Sequence, residues 1–385
     1  MKDIQLLGAT GSIGTQTVEI IEEFPHDFRL QAVSARDSVS KILEIAKRHD
    51  VGTVVMAEKH RKALERALPD CTFLSLEEGG LEAVARSDKD AVLVNALVGS
   101  AGLPPTLAAA ESGKDVLLAN KESLVVGGEL IKAAMRRTGA KIVPIDSEHS
   151  ALAGILAGNR IEDVEKLVIT ASGGSLRHLD KDELEDVSPK DALKHPNWQM
   201  GAKITIDSAT MMNKVFEVIE AHHLFDVPYE RIEAILHEES VVHALVHFKD
   251  GNVLAHMGPA DMRIPILTAL QGGERKAHRS LFDLTRIGTL HFALIDSGRY
   301  PLFDLGLAVA KKGGLHTVTL NAANEAAVAL FLAERISFRE IETLIKKALD
   351  HFRNDNHLTL EKILSHDALV RKFLEDIVKQ KVKTQ

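Results

Sequence analysis

The sequence predicts an α/β protein with a parallel-sheet domain at its N-terminus, a central α+β domain and a helical C-terminal domain. Three observations predict it. Short apolar strands alternate with amphipathic helices through the first 146 residues, and a glycine-rich turn joins the first strand to the first helix. From Pro301 onward, apolar residues recur at helical spacing instead.

The first strand spans 4–8, followed by the glycine turn and a helix from about Ile13 to Glu23. Further strands are expected over 29–34, 53–57, 91–96, 115–119 and 141–145, with helical patterns over 41–49 and 129–138. Alternation of this kind implies a parallel sheet covered on both faces. Between Asp146 and about Gly273, strand-like runs at 166–170, 203–207, 240–248 and 251–256 mix with loops rich in Gly, Ser, Pro and Asn. That composition suits an α+β domain with functional loops. The resulting partition is 1–146, 147–273, a connector over 274–300, and 301–385, where Phe338, Ile341, Leu344, Ile345 and Leu349 mark a helix.

A chain of 385 residues exceeds one ordinary core, which agrees with several domains. Its 45% hydrophobic and 26% charged content excludes a disordered or fibrous protein. The net charge of −8 argues against a nucleic-acid partner, although a local pocket for a small phosphate stays open. Cys71 is the single cysteine, so no intrachain disulfide forms, as suits a reducing compartment. The first residues lack the pattern of a signal peptide, and no apolar run is long enough to cross a bilayer. The expected location is cytoplasmic, with no membrane partner.

Gly8-Ala9-Thr10-Gly11-Ser12-Ile13-Gly14 lies between strand and helix. A pyrophosphate needs backbone N–H donors with no side chain in the way, and the helix N-terminus adds its positive end. Glycines permit the tight turn and the close approach, so this segment is expected to bind a dinucleotide. The end of the second strand, Ser34-Ala35-Arg36-Asp37, selects between cofactors. Arg36 favours the 2′-phosphate of NADPH, whereas Asp37 opposes it if both face the same way.

Asp146-Ser147-Glu148 follows a strand, where period-two geometry would project both acids to one side. On a helical wheel of 208–220, Met212, Val215, Phe216 and Ile219 form an apolar stripe, with Asn213, Glu217 and Glu220 on the adjacent face. Asp146 and Glu148, with a third acid from 208–220, would make a hard-oxygen site for Mg²⁺ or Mn²⁺ rather than structural zinc. The plain alternative is that these acids cap helices or lie on a solvated surface. Ser172-Gly173-Gly174 reads either as an anion-binding loop or as an ordinary turn. His195-Pro196-Asn197-Trp198 holds the single tryptophan and reads as loop packing or as a lid near 194–204. Lys214, beside Asn213, is either a surface lysine or a point charge for a phosphate.

Several segments, in order along the chain, resemble the 1-deoxy-D-xylulose 5-phosphate reductoisomerase family: LGATGSIG at 7–14, LANKESL at 118–124, PIDSEH at 144–149, HPNWQMG at 195–201, DSATMMNK at 207–214 and LNAANE at 320–325. The resemblance implies an NADPH-dependent, metal-dependent oxidoreductase that rearranges and reduces 1-deoxy-D-xylulose 5-phosphate to 2-C-methyl-D-erythritol 4-phosphate for non-mevalonate isoprenoid synthesis. It implies a homodimer of three-domain chains with a Rossmann-like first domain. It assigns the metal (Mn²⁺ or Mg²⁺, with Co²⁺ also admitted) to Asp146, Glu148 and Glu217. Lys121, Glu148, His195 and Glu217 become the catalytic set. Lys121, Ser147, Glu148, Ser172, His195, Trp198, Ser208, Asn213, Lys214 and Glu217 become substrate contacts, with Ser172, Ser208, Asn213 and Lys214 near the phosphate. Gly8, Thr10, Gly11, Ser12, Ile13, Gly14, Ala35, Arg36, Asp37, Asn120, Glu122 and Gly201 become cofactor contacts.

The sequence departs from the family pattern at several positions. Val215 stands where the family usually has glycine, within expected reach of the phosphate, and Ala35 and Asp37 replace Gly and Asn. Ala244-Leu245 replaces Ser-Met, and His256 replaces Gln. These changes admit an alternative, a divergent and weakly active paralogue that binds NADPH and a phosphosugar in a regulatory role. A semialdehyde-type dehydrogenase would need a nucleophilic cysteine, or a catalytic lysine without the acidic triad, and Cys71 has no such setting.

Overall fold

The computed structural model describes residues 1–180, 182–274 and 282–384, so 275–281 of the expected connector lie outside the described residues. The chain divides into two compact units. The first comprises Met1–Leu124, Gly128–Ser150 and the described part of Asp261–Ala277; the second comprises Val125–Gly127, Ala151–Ala260 and the described part of His278–Gln385.

The first unit is built on seven strands: Lys2–Leu7 (β1), Phe28–Ser34 (β2), Thr53–Met56 (β3), Thr72–Ser75 (β4), Val92–Asn95 (β5), Val116–Leu118 (β6) and Ile142–Pro144 (β7). They pair in parallel in the order β4-β3-β2-β1-β5-β6-β7. The strand order reverses between β1 and β5, and such a switch point is where open α/β sheets bind ligands, at the carboxyl ends of the strands. Six strands were legible as apolar runs. β4 was not, because its four residues are too few to show a period.

Ile4, Leu6, Val33, Val54 and Val94 share one core with Ile20 and Ile42 of the covering helices. Ile266, Leu267, Ala269 and Leu270 join the same core. Their helix, Arg263–Leu270, therefore packs with the first unit, although the sequence reading places it inside a central domain ending at 273. Apolar spacing identifies a helix but not the sheet it covers.

The second unit holds a mixed sheet of Val164–Ala171 (β8), Ile232–Leu236 (β9), Val242–Phe248 (β10), Val253–Met257 (β11) and Ala293–Leu294 (β12). The order is β11-β10-β8-β9-β12, with β8 and β9 parallel and the other pairs antiparallel. Helices Pro301–Lys312, Leu315–Leu332, Phe338–His351 and Leu360–Thr384 make up its C-terminal part. Leu315–Leu332 is apolar nearly all round, as befits a helix enclosed by neighbours.

Two local expectations are corrected. Residues 203–207, which alternate like a strand, lie in the helix Ala202–Ala209. Lys203 and Asp207 sit one turn apart there and form a 2.8 Å ion pair. Ser147 and Glu148 do not extend a strand, because the helix Ser147–Leu156 begins at that point. Successive helical residues turn by about 100°, so the period-two argument for Asp146 and Glu148 fails.

Candidate active site

The first unit presents the glycine turn at the carboxyl end of β1. Gly8 has φ +82°, and a Cβ there would lie 2.6 Å from the Ala96 carbonyl oxygen at the end of β5. A Cβ on Gly14 would run into the Gly8 carbonyl. Gly11 caps the helix Ser12–Glu23 without any side-chain hydrogen bond, and no acidic residue occupies the first turn. Gly11 and Ser12 are exposed, so the turn offers backbone donors and a positive helix end to an anion.

Asn120 is buried and its amide is used internally. Its Nδ2 donates to the carbonyls of Leu97 and Gly99 at 2.9 Å each and to Glu122 Oε2 at 3.2 Å. The Asn120 side chain thus pins the loop after β5 at the switch point.

Arg36 and Asp37 lie exposed beyond β2. Asp37 does not turn toward Arg36. Its carboxylate pairs with Lys59 at 2.5 Å and His60 at 3.3 Å, and these two hold it below the usual carboxylate range. Lys59 and His60 were missed by sequence reasoning. The available signal was their place just after β3, whose carboxyl end abuts that of β2 in a parallel sheet.

Lys121 follows β6 and Asp146 follows β7; pairing of Leu118 with Pro144 sets their strand ends side by side. The Lys121 ammonium meets Asp146 Oδ2 at 2.6 Å, with both side chains nearly buried. Burial opposes ionisation of Asp146, but Lys121 and the ring of His149 hold its carboxyl well below the usual range. His149 Nδ1 lies 3.2 Å from Asp146 Oδ1, and the Ser147 hydroxyl donates to Glu148.

In the second unit, helices Ala202–Ala209 and Met212–Phe225 meet at Met211, which takes φ +63°. A non-glycine residue in that region is strained and marks a position held by its surroundings. Asn213, Lys214 and Glu217 then share the first turns of the second helix. Glu217 is 1% exposed, and it accepts from Asn213 Nδ2 at 2.5 Å and from the Lys214 ammonium. These residues are therefore neither solvated acid nor surface lysine. Such burial is tolerated because the charges are compensated.

The donors assigned to the metal are carboxylate oxygens, with lysines compensating Asp146 and Glu217. That donor chemistry fits a hard divalent cation of the Mg²⁺ or Mn²⁺ class.

Asp207, 1% exposed, accepts from Asn324 Nδ2 at 2.7 Å. Two of the quoted segments, at 207–214 and 320–325, are thereby joined, and the second serves as a brace. Ser208 is half-buried on the same helix. Gly174 packs against this place so closely that a Cβ would lie 2.6 Å from Ala209 Cα. Ser172 Oγ lies 3.0 Å from His195 Nε2. Burial and nearby Arg177 push the His195 pKa down to about 4, so the ring is neutral near pH 7. Ser172, Ser208 and His195 are thus gathered around one turn. Gly201 begins the helix Ala202–Ala209 as an exposed cap.

Trp198 packs with its ring centroid 6.2 Å from that of His243 on β10. His256, one of the departures, lies across the strand pair with its ring 6.2 Å from His243. Burial and His256 push the His243 pKa down to about 4. Ala244, another departure, pairs with His256 in register on the neighbouring strand. The third departure is explained by its partner. Val215 faces the helix Pro301–Lys312, and a Cβ on Gly306 would come within 2.5 Å of Val215 Cγ1. Val215 fills the gap left by Gly306, on a face about 100° round from Lys214.

The family model for 1-deoxy-D-xylulose 5-phosphate reductoisomerase matches residues 4–128, and the models for its C-terminal domains match 142–225 and 257–373. The 1-deoxy-D-xylulose 5-phosphate reductoisomerase of Geobacillus kaustophilus is 48% identical over 98% of this chain and 100% of its own. The protein of the same name from Halalkalibacterium halodurans is 46% identical over 98% of this chain and 100% of its own. A crystal structure of DOX-P reductoisomerase in complex with NADPH, fosmidomycin and magnesium superposes with TM-score 0.93 at 38% identity, covering 98% of each chain. The 1-deoxy-D-xylulose 5-phosphate reductoisomerase from Zymomonas mobilis in complex with NADPH gives 0.88 at 36% identity over 98% of this chain and 99% of its own. From its glycine turn to its helical C-terminus, this chain belongs to the 1-deoxy-D-xylulose 5-phosphate reductoisomerase family.

Proposed function

We infer that the chain performs the reaction of its family, converting 1-deoxy-D-xylulose 5-phosphate to 2-C-methyl-D-erythritol 4-phosphate with NADPH and a divalent metal. The observation that carries this reading is the full-length match, at 48% identity over 98% of the chain. Solved relatives were captured with NADPH and with magnesium.

Asp146, Glu148 and Glu217 are assigned to the metal, with Ser147 orienting Glu148. When bound, the metal supplies Lewis acidity to the substrate's keto and hydroxyl oxygens, and NADPH supplies the hydride. The protein's own share is positioning and charge. Lys121 keeps Asp146 ionised, while Lys214 neutralises Glu217 and Asn213 donates a hydrogen bond to it until ligands arrive. Ser172, Ser208, Asn213 and Lys214 receive the phosphate, where a point charge and hydroxyl donors suit a dianion. His195 stays neutral near the same turn. Trp198 and the segment 194–204 act as a flap that excludes water during the reaction. The glycine turn holds the pyrophosphate, and Arg36 favours the 2′-phosphate.

The further assignments are a cofactor domain over 1–146, a catalytic domain over 147–273 and a helical domain from 301. The protein acts in the cytoplasm; among the described residues no helix is long and apolar enough to cross a membrane. It pairs as a homodimer. Support comes from the edge strand β12, where Leu294 is 77% exposed and neighbouring Phe292 is exposed as well. The regulatory alternative has no specific observation in its favour, and burial raises the Cys71 pKa, which suits no nucleophile. The test is NADPH consumption with 1-deoxy-D-xylulose 5-phosphate, with and without Mn²⁺. Metal-dependent consumption with formation of the branched product is expected; none under either condition would overturn the reading.

A further inference from the structure

The Ser172-Gly173-Gly174 turn has a support that its assigned binding residues do not account for. Tyr300, 3% exposed and immediately ahead of the helix Pro301–Lys312, donates its hydroxyl to the Gly173 carbonyl at 3.0 Å. The preceding carbonyl, of Ser172, accepts from Arg177 Nη1 at 3.0 Å. Both carbonyls of the turn are therefore engaged.

A trans peptide carries its N–H opposite its C=O. Fixing the Gly173 carbonyl therefore also aims the Gly174 N–H, which donates to Ser172 Oγ at 3.2 Å. Gly173 and Gly174 have φ +81° and +79°, and Gly174 is wedged against Ala209, so the turn has little freedom to rotate away.

The other contact of Ser172 Oγ is His195 Nε2, at 3.0 Å. The tautomer of that ring follows from its second nitrogen. His195 Nδ1 accepts from the backbone N–H groups of Asn197 at 3.2 Å and Trp198 at 3.0 Å, so it carries the lone pair. The proton of the neutral ring is then on Nε2 and is donated to Ser172. A hydroxyl has two lone pairs and one proton. Both lone pairs of Ser172 are filled, by Gly174 and by His195, so its proton is directed to a third group.

We propose that Tyr300 is a positioning residue for anion recognition: acting through the Gly173–Gly174 peptide, and with His195 as the Nε2–H tautomer, it aims the Ser172 proton at the phosphate ester of the substrate. The proposal rests on the reading that Ser172 meets that phosphate. It predicts a loss confined to phosphate affinity when one oxygen is removed 128 positions along the chain from Ser172, since Tyr300→Phe keeps the ring that lies under the Arg299 guanidinium.

The Michaelis constant for 1-deoxy-D-xylulose 5-phosphate and the inhibition constant of inorganic phosphate are measured for wild type, Tyr300→Phe, Ser172→Ala, the double variant and Lys214→Ala. Tyr300→Phe should raise both constants together by about three- to tenfold, with kcat and the NADPH Michaelis constant within about twofold. In the Ser172→Ala background, Tyr300→Phe should add nothing, because its effect passes through that hydroxyl. Nitrogen NMR of the wild-type imidazoles should find His195 protonated at Nε2, a result that does not depend on how any variant folds. An Nδ1–H tautomer overturns the proposal, as does a Tyr300→Phe effect that is absent or that adds in full to Ser172→Ala, while Lys214→Ala weakens phosphate as expected. If Lys214→Ala changes neither constant and wild type is indifferent to inorganic phosphate, the phosphate reading of the site itself fails and the proposal falls with it.

Discussion

Each unit buries a lysine against a carboxylate, but the two pairs are assembled differently. Lys214 and Glu217 stand three residues apart on one helix, so backbone geometry alone brings them together. Lys121 and Asp146 are 25 residues apart and meet only because β6 and β7 are neighbours with their carboxyl ends level. The first kind of pair tolerates changes elsewhere in the fold, whereas the second depends on the register of a sheet. The comparison also orders the expected effects of substitution, since buried, mutually compensated charges respond far more strongly than the exposed charges around Asp37.

The largest effect is expected at Glu217. Removing an outer partner of a metal ligand typically costs about 10- to 100-fold, so Glu217→Gln should lower turnover by at least about a hundredfold and weaken Mn²⁺ binding. Circular dichroism should show an intact fold. Near-normal turnover at limiting Mn²⁺ would remove Glu217 from the metal site and break the parallel between the two pairs.

Val215→Gly comes next, and it acts on stability. It empties the contact with Gly306 and places glycine inside a helix, so a loss of about 2–4 kcal/mol is expected from denaturant unfolding. Substrate affinity should stay within about twofold. An improvement in kcat/KM would mean that Val215 crowds the phosphate after all.

Lys214→Ala should raise the Michaelis constant for the substrate at least about tenfold, as the loss of a charge-assisted contact to a dianion requires. The NADPH constant should hardly move. Equal losses in both would place Lys214 outside the phosphate site.

At the exposed end of the comparison, Arg36→Ala should erase most of a preference for NADPH over NADH of about tenfold. Asp37→Asn should widen that preference, by a few-fold, because it releases Lys59 and His60 from their carboxylate. Initial rates with both cofactors on the three proteins decide this. An Arg36→Ala enzyme that keeps its full margin would shift the selection to Lys59 and His60.

The last effect concerns pH. His195 and His243 are each held neutral, with pKa values lowered from 6.5 to about 4. Their contribution to stability is complete above pH 6.5 and is lost as the pH falls from there toward 4, because the unfolded chain binds protons that the folded chain refuses. His243→Gln should flatten urea-unfolding stability across that window. A profile as steep as that of wild type would assign the acid loss to other groups.

What the sequence determined by itself was local. The glycine turn between β1 and its helix, the helix face shared by Asn213 and Glu217 and the Ser172-Gly173-Gly174 turn were legible because each is defined by covalent spacing within a few residues. Most of the parallel sheet was legible because strands buried on both faces read as continuous apolar runs. Tertiary structure decided whatever depends on which strand ends and helix faces become neighbours. Residues 203–207 alternate like a strand yet form a helix, because the i,i+4 pairing of Lys203 with Asp207 and the hold of Asn324 on Asp207 outweigh the alternation. Asp37 turns to Lys59 and His60 rather than Arg36 because β2 and β3 end side by side. Val215 answers a gap at Gly306, and Tyr300 reaches Gly173 across 127 residues of sequence. No periodicity carries such information, since it arises only when separate elements pack and each buried polar group must find its partner.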